Sequence, residues 1–208
     1  MLQEELSLRE QKKLIFRQKI LDAAALQFKK KGFSETSISD IMKSAKLGVG
    51  TFYNYFESKE ELLLILLKNI AKEVEDAVKE RLEKNLSSLQ ILDETTLLMS
   101  RLIDENKFVL PLFLSASEHS DKPELLPTRK YTPTFKPIFE IILKRGQANG
   151  EIRSDVPADL IAEMFHSIYQ AASFSKLDIS FQENIKLKVR LLIDGINLIK
   201  NAECRIKN

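Results

Sequence analysis

The sequence predicts an all-α chain, with a small N-terminal three-helix unit leading into a larger helical body, about nine helices in total. Three observations carry this. Apolar residues recur at three- and four-residue steps through most of the 208 residues. Only 6 Gly and 6 Pro are present, too few for the many tight turns of an all-β fold. Several periodic stretches also begin or end on residues that suit helix termini.

The first helix spans about Arg9 to Lys31, with Leu14, Ile20 or Leu21, Ala24, Ala25 and Phe28 inward, and Gly32 ends it. Ser37 with Asp40 resembles a capping box and opens a short second helix with Ile38, Ile41, Met42 and Ala45 on its apolar face. Lys46-Leu47-Gly48 turns into a third helix over about Val49 to Tyr55, where Val49, Phe52 and Phe56 point inward. Ser58 with Glu61 caps a fourth helix running to about Leu86. Ser87 to Asn106 and Lys107 to Glu118 read as two more. Prolines at 123, 127, 133 and 137 mark an irregular entry to a helix ending near Asn149-Gly150. Pro157, after Ser154-Asp155, suits the first turn of a helix reaching Ser173, and a last helix covers about Glu183 to Asn201. The expected domains are 1–56 and 57–208, joined by the fourth helix without a Gly/Ser linker.

Composition narrows the function class. The longest apolar run, Leu62 to Leu67, is too short to span a bilayer, so no membrane partner is expected. The start of the chain lacks a secretory signal pattern, and the single cysteine, Cys204, fits a reducing cytoplasm. The net charge of +2 is unevenly placed: residues 1–60 hold 11 Lys/Arg against 8 Asp/Glu, and the rest holds 21 against 22. The slight basic excess lies at the end that phosphate binding would use.

Two short helices joined by a tight turn containing Gly describe a helix-turn-helix, from Ile38 to Tyr55. The outward face of its third helix carries Gly50, Thr51, Tyr53, Asn54 and Tyr55, where a merely solvated helix would show Lys and Glu. Gly50 permits close backbone approach, Thr51 and the tyrosines can donate to phosphate, and Asn54 can read an adenine edge. Lys59 sits in the first turn of the fourth helix. There it is badly placed for the helix dipole and well placed for a phosphate.

At these residues the chain resembles a known family. Arg17 to Phe33, then Thr36-Ser-Ile-Ser-Asp-Ile, then Gly50-Thr-Phe-Tyr-Asn-Tyr-Phe-Glu-Ser-Lys-Glu-Glu-Leu are similar to the N-terminal domain of tetracycline-repressor-type (TetR-family) regulators. Lys46 and Gly48 depart from that pattern, which often has Gly and then Ser or Thr there. The resemblance implies DNA contacts at Ser37, Ser39, Lys46, Gly50, Thr51, Tyr53, Asn54, Tyr55 and Lys59. It also implies a homodimer on palindromic double-stranded DNA, with the last two helices packed against their symmetry mates. Ile161, Phe165, Ile168, Ala172, Val189, Leu192, Ile196 and Ile199 are the expected seam.

By the same resemblance, a small-molecule effector pocket lies in the C-terminal body. Its expected lining is Met99, Phe108, Leu112, Phe113, His119, Phe135, Phe139, Phe165, His166 and Tyr169, whose apolar character suits a lipophilic effector. Glu118, His119 and His166 lack metal-ligand spacing, so no metal is expected. No cofactor is expected either, and no nucleophile elbow, phosphate loop or His-Glu-x-x-His helix points to an enzyme. Control by a partner protein without an effector, and a helical enzyme that kept the N-terminal fold, are the competing readings.

Overall fold

The computed structural model describes residues 7–110 and 135–197. Leu112, Phe113, Glu118, His119, Ile199, Cys204 and the prolines at 123, 127 and 133 lie outside these described residues. Seven α-helices and two 3-10 segments make up the described chain. The pairing nearest to a strand among the described residues is one isolated bridge, Ile152 to Asn197.

The N-terminal head begins with α1 (Leu8–Lys31). Ser7 starts it with a complete capping box: its hydroxyl accepts from Glu10 N, and the Glu10 carboxylate accepts from Ser7 N at 2.9 Å. Ile20, Leu21, Ala23, Ala24 and Phe28 form the buried stripe. Leu14, expected inward, is 54% exposed, because the first turns of α1 have nothing to pack on among the described residues. The helix stops at Gly32, whose φ of 80° suits a residue without Cβ. The short α2 (Ile38–Ser44) follows, with the Ser37–Asp40 capping box reciprocal as its sequence suggests.

After the 3-10 segment Val49–Asn54, α3 (Lys59–Glu83) runs from the head into the body. Its buried residues Leu62, Leu63, Leu67, Ile70, Ala71, Val74 and Val78 keep helical spacing along most of its length, so one apolar stripe serves both regions. The helix ends three residues before the expected Leu86, where Asn85 turns to φ 54°. In the body α4 (Ser88–Glu105) is central. It packs against α3, against α5 (Lys136–Ala148) and most extensively against α7 (Phe181–Ile196), and α5 and α7 both pack on α6 (Ala158–Ser173). The centrality of α4 explains its burial: Thr95, Thr96, Ser88 and Ser100 lie among its apolar residues with almost no exposure. Where Lys107 to Glu118 was expected as one helix, a 3-10 segment, Lys107–Val109, opens the stretch.

Two further starts differ slightly from expectation. Pro157 sits just before α6 rather than within its first turn. The last helix begins at Phe181, because Ser180 is its cap and Glu183 supplies the third amide, donating to the Ser180 hydroxyl at 3.1 Å. Gly146 on α5 is a close-packing residue. A Cβ there would lie 2.5 Å from Ile152 Cδ1 and 2.9 Å from Ser88 Cβ, so α5, the start of α4 and Ile152 fit only around a glycine. Among the described residues no helix is long and apolar enough to cross a membrane.

Candidate nucleic-acid interface

The helix-turn-helix is built on a turn whose geometry is unusual for its residue. Lys46 occupies the left-handed region at φ 57°, and Leu47 N then donates back to Met42 O at 3.0 Å, closing the turn. The family pattern often places Gly here; this chain places an exposed lysine whose ammonium has no partner among the described residues. Leu47, half-buried, packs onto the head core.

The recognition segment is a 3-10 turn rather than the expected α-helix, and this changes its faces. Phe52 and Phe56 are buried as expected, with ring centroids 5.9 Å apart. Val49, expected inward, is 48% exposed, and Leu47 contributes to the core from the turn instead. Tyr55, expected outward, is half-buried against the core. At three residues per turn it lies below Phe52 and shares its face. Gly50, Tyr53 and Asn54 remain exposed and Thr51 half-exposed. Tyr53 stands edge-on to Phe52 at 5.3 Å, which fixes its ring while leaving it 64% exposed. Among the described residues, the side chains of Thr51, Tyr53, Asn54 and Tyr55 have no hydrogen-bond partner, so their donors and acceptors are available.

At the start of α2 the two serines differ. The Ser37 hydroxyl is engaged twice with Asp40, accepting from its amide at 3.1 Å and donating to its carboxylate at 2.8 Å. Ser39 is exposed with its hydroxyl free among the described residues. Asp40 also receives Lys31 at 3.0 Å. The Lys31 hydrogen bond above all, then those from the Ser37 amide and hydroxyl, hold the Asp40 carboxyl down at about 2 against an ordinary 3.8.

Lys59 is the least expected member. Its ammonium donates to Phe33 O at 2.8 Å, to Thr36 O at 2.9 Å and weakly to Ser34 O at 3.5 Å, and lies 4.4 Å from the Phe33 ring centroid. It therefore fastens the first turn of α3 to the loop between α1 and α2. No pattern in the sequence marks this contact, because its partners are backbone carbonyls at least 23 residues upstream. Arg17 was likewise missed as a contributor: its guanidinium covers the Phe56 ring at 5.2 Å.

The dimer and effector candidates fall differently. Within the single chain, Ile161, Phe165, Ile168, Ala172, Val189 and Ile196 are buried and Leu192 is half-buried. Counting apolar periodicity selects the strongest stripe, which serves the core of the body, while its Ile161, Ile168, Leu192 and Ile196 also line the floor of a groove. The adjacent, weaker stripe borders this groove of about 750 Å³ between α6 and α7 with Leu160, Met164, Ala171, Leu191 and Gly195. Of the pocket candidates, Met99, Phe108, Phe135, Phe139, Phe165 and Tyr169 are buried. Phe139 and Phe165 stack at 5.1 Å, and the Tyr169 hydroxyl donates to Thr96 O at 3.2 Å. Burial pushes the Tyr169 phenol far up, so it acts as a neutral donor. His166 is half-buried, and burial reinforced by the charge of Lys136 pushes it down. Among the described residues no cluster of His, Cys, Asp and Glu could hold a metal ion.

Comparison with known proteins agrees with the head. Residues 20–66 match the family model for bacterial regulatory proteins of the tetR family. An uncharacterized HTH-type transcriptional regulator of Bacillus subtilis, YvdT, is 30% identical over 181 residues, which cover 83% of this chain and 87% of YvdT. The HTH-type transcriptional repressor DhaR of Mycobacterium sp. is 28% identical over 160 residues, covering 75% and 79%. In structure, the Thermus thermophilus repressor FadR in complex with lauroyl-CoA is similar at a TM-score of 0.64 and 22% identity, covering 86% of this chain and 94% of that one. A matched helix-turn-helix head, and a relative similar along most of both lengths, place the chain in the TetR family of bacterial regulatory proteins, the DNA-binding regulators of transcription.

Proposed function

We propose that the protein is a dimeric repressor that leaves a palindromic operator when a small lipophilic effector binds its C-terminal body. The observation that carries the DNA half of this reading is the exposed face of Gly50, Thr51, Tyr53 and Asn54. Its polar side chains are unpaired among the described residues while Phe52 and Phe56 anchor the segment beneath them. Ser39, Lys46 and the upper edge of Tyr55 extend that face. Ser37 and Lys59 support it by holding the start of α2 and its preceding loop in place. The division at about residue 56 separates this head from the body.

The dimer would form along the open α6–α7 groove, whose exposed Leu160, Met164 and Leu191 lack a cover among the described residues. Two-fold pairing there sets two heads on successive major grooves. The effector would enter among Met99, Phe108, Phe135, Phe139, Phe165, His166 and Tyr169. Thr95, buried on α4 with its hydroxyl unpartnered among the described residues, offers a polar anchor. FadR's complex with lauroyl-CoA supports an apolar effector class. Because α3 spans head and body, a shift of its body end would tilt the heads away from matching spacing. Footprinting on the DNA flanking the protein's own coding region tests the reading. A protected palindrome is expected, and lack of protection there together with failure to select any duplex from a random library would refute it.

A further inference from the structure

The first turns of α1 carry two cations, Arg9 and Lys13, that the described head does not use. Arg9, Lys13, Arg17 and Leu21 follow one another at four-residue steps and so share a face. Leu21 is buried in the head core and Arg17 covers Phe56, but Lys13 and Arg9 lie beyond the packed region. Every residue from Leu8 to Ile15 is exposed. The row is therefore apolar where α1 meets the head and cationic where it leaves. Neither Arg9 nor Lys13 has an acidic partner among the described residues, and the one acid between them, Glu10, is occupied by the Ser7 cap. Cations in the first turns oppose the helix's own dipole, so their placement does not serve α1 itself.

Arg17 links the row to the recognition segment. Phe56, beneath its guanidinium, packs on Phe52, which in turn carries Tyr53. Arg17, two helical turns after Arg9 and one after Lys13, is thereby tied to the aromatic cluster that carries the recognition segment. The row also precedes the family match, which begins at residue 20. We infer that Arg9 and Lys13 bind backbone phosphates of duplex DNA flanking the half-site, a sequence-independent grip added to the helix-turn-helix. This rests on the DNA-binding reading above.

The test compares the full-length chain with its R9Q/K13Q variant on two duplexes of equal length, one selected by the wild-type chain from a random library and one scrambled. Affinity is measured against salt concentration. Each lost phosphate contact lowers the magnitude of the log–log slope by about 0.9, so two contacts in each of two protomers lower it by about 3.6 on the selected duplex. The preference for selected over scrambled DNA stays as it was, and the charge-conserving R9K/K13R variant restores the slope. A slope equal to that of the wild type overturns the inference while leaving DNA binding by the head intact. A wild-type chain that binds neither duplex overturns both. An unchanged slope with loss of binding to phosphatidylglycerol vesicles assigns the row to a lipid surface and also overturns it.

Discussion

Lys59→Met separates two roles that a lysine at the start of α3 can play. In the structure its ammonium makes two short charge-assisted hydrogen bonds, at 2.8 and 2.9 Å, and faces the Phe33 ring at 4.4 Å. Bonds of this kind contribute about 1.5 kcal/mol each at the low end, and a cation over an aromatic face about 0.5–1 kcal/mol. Lys59 is only half-buried, so water re-solvates part of what methionine abandons, and a net loss of about 2 kcal/mol follows. For a chain of this size that lowers Tm by roughly 4–8 °C. Differential scanning calorimetry without DNA reads the loss, and the salt dependence of DNA affinity reads the other role. The fastening contact predicts lower stability with an unchanged salt slope. Unchanged Tm together with a slope smaller by about 1.8, one contact in each of two protomers, would show that Lys59 acts as a phosphate anchor, and the reasoning would be refuted.

Gly146→Ala forces a methyl against Ile152 and Ser88 and should cost about 1–3 kcal/mol, read by urea unfolding; a cost under about 0.5 kcal/mol would show that the site relaxes freely. Asp40 titrates at about 2 when folded and near 3.8 otherwise, so its contribution to stability is full above about pH 4 and disappears as the pH falls towards 2. Asp40→Asn should therefore flatten the stability–pH profile in that interval, and an equally steep profile would contradict the Lys31–Asp40 contact. Leu191→Glu places a charge in the α6–α7 groove, where Leu191 is 74% exposed in the single chain. Light scattering should find a monomer with its helix content retained, and an intact dimer would move the interface elsewhere.

The head was legible in the sequence because its signals are local. Caps at Ser37 and Ser58 and the stop at Gly32 act within four residues, and Phe52 and Phe56 declare the buried side of a short segment. What escaped depends on distance or on backbone. Lys59 binds carbonyls that no side-chain pattern reveals. Val49 and Tyr55 exchanged sides because a 3-10 turn has three residues per turn, a difference that six residues cannot show by periodicity. In α6 and α7 two apolar stripes run side by side, and sequence ranks Ile161 and Val189 above Leu160 and Leu191 without showing which pair the body itself covers. The Gly146 contact likewise exists only once α4, α5 and Ile152 converge.

The most direct test of the central claim is the affinity of the full-length chain for its selected palindromic duplex, compared with that of Thr51→Ala/Tyr53→Ala. Both side chains are at least half-exposed and without hydrogen-bond partners among the described residues, so the folded state should keep its Tm. Loss of their DNA contacts, two in each of two protomers at about 1–1.5 kcal/mol for each contact removed, should weaken binding by roughly 1,000- to 10,000-fold. An unchanged affinity at unchanged stability would contradict the assignment of this face to DNA.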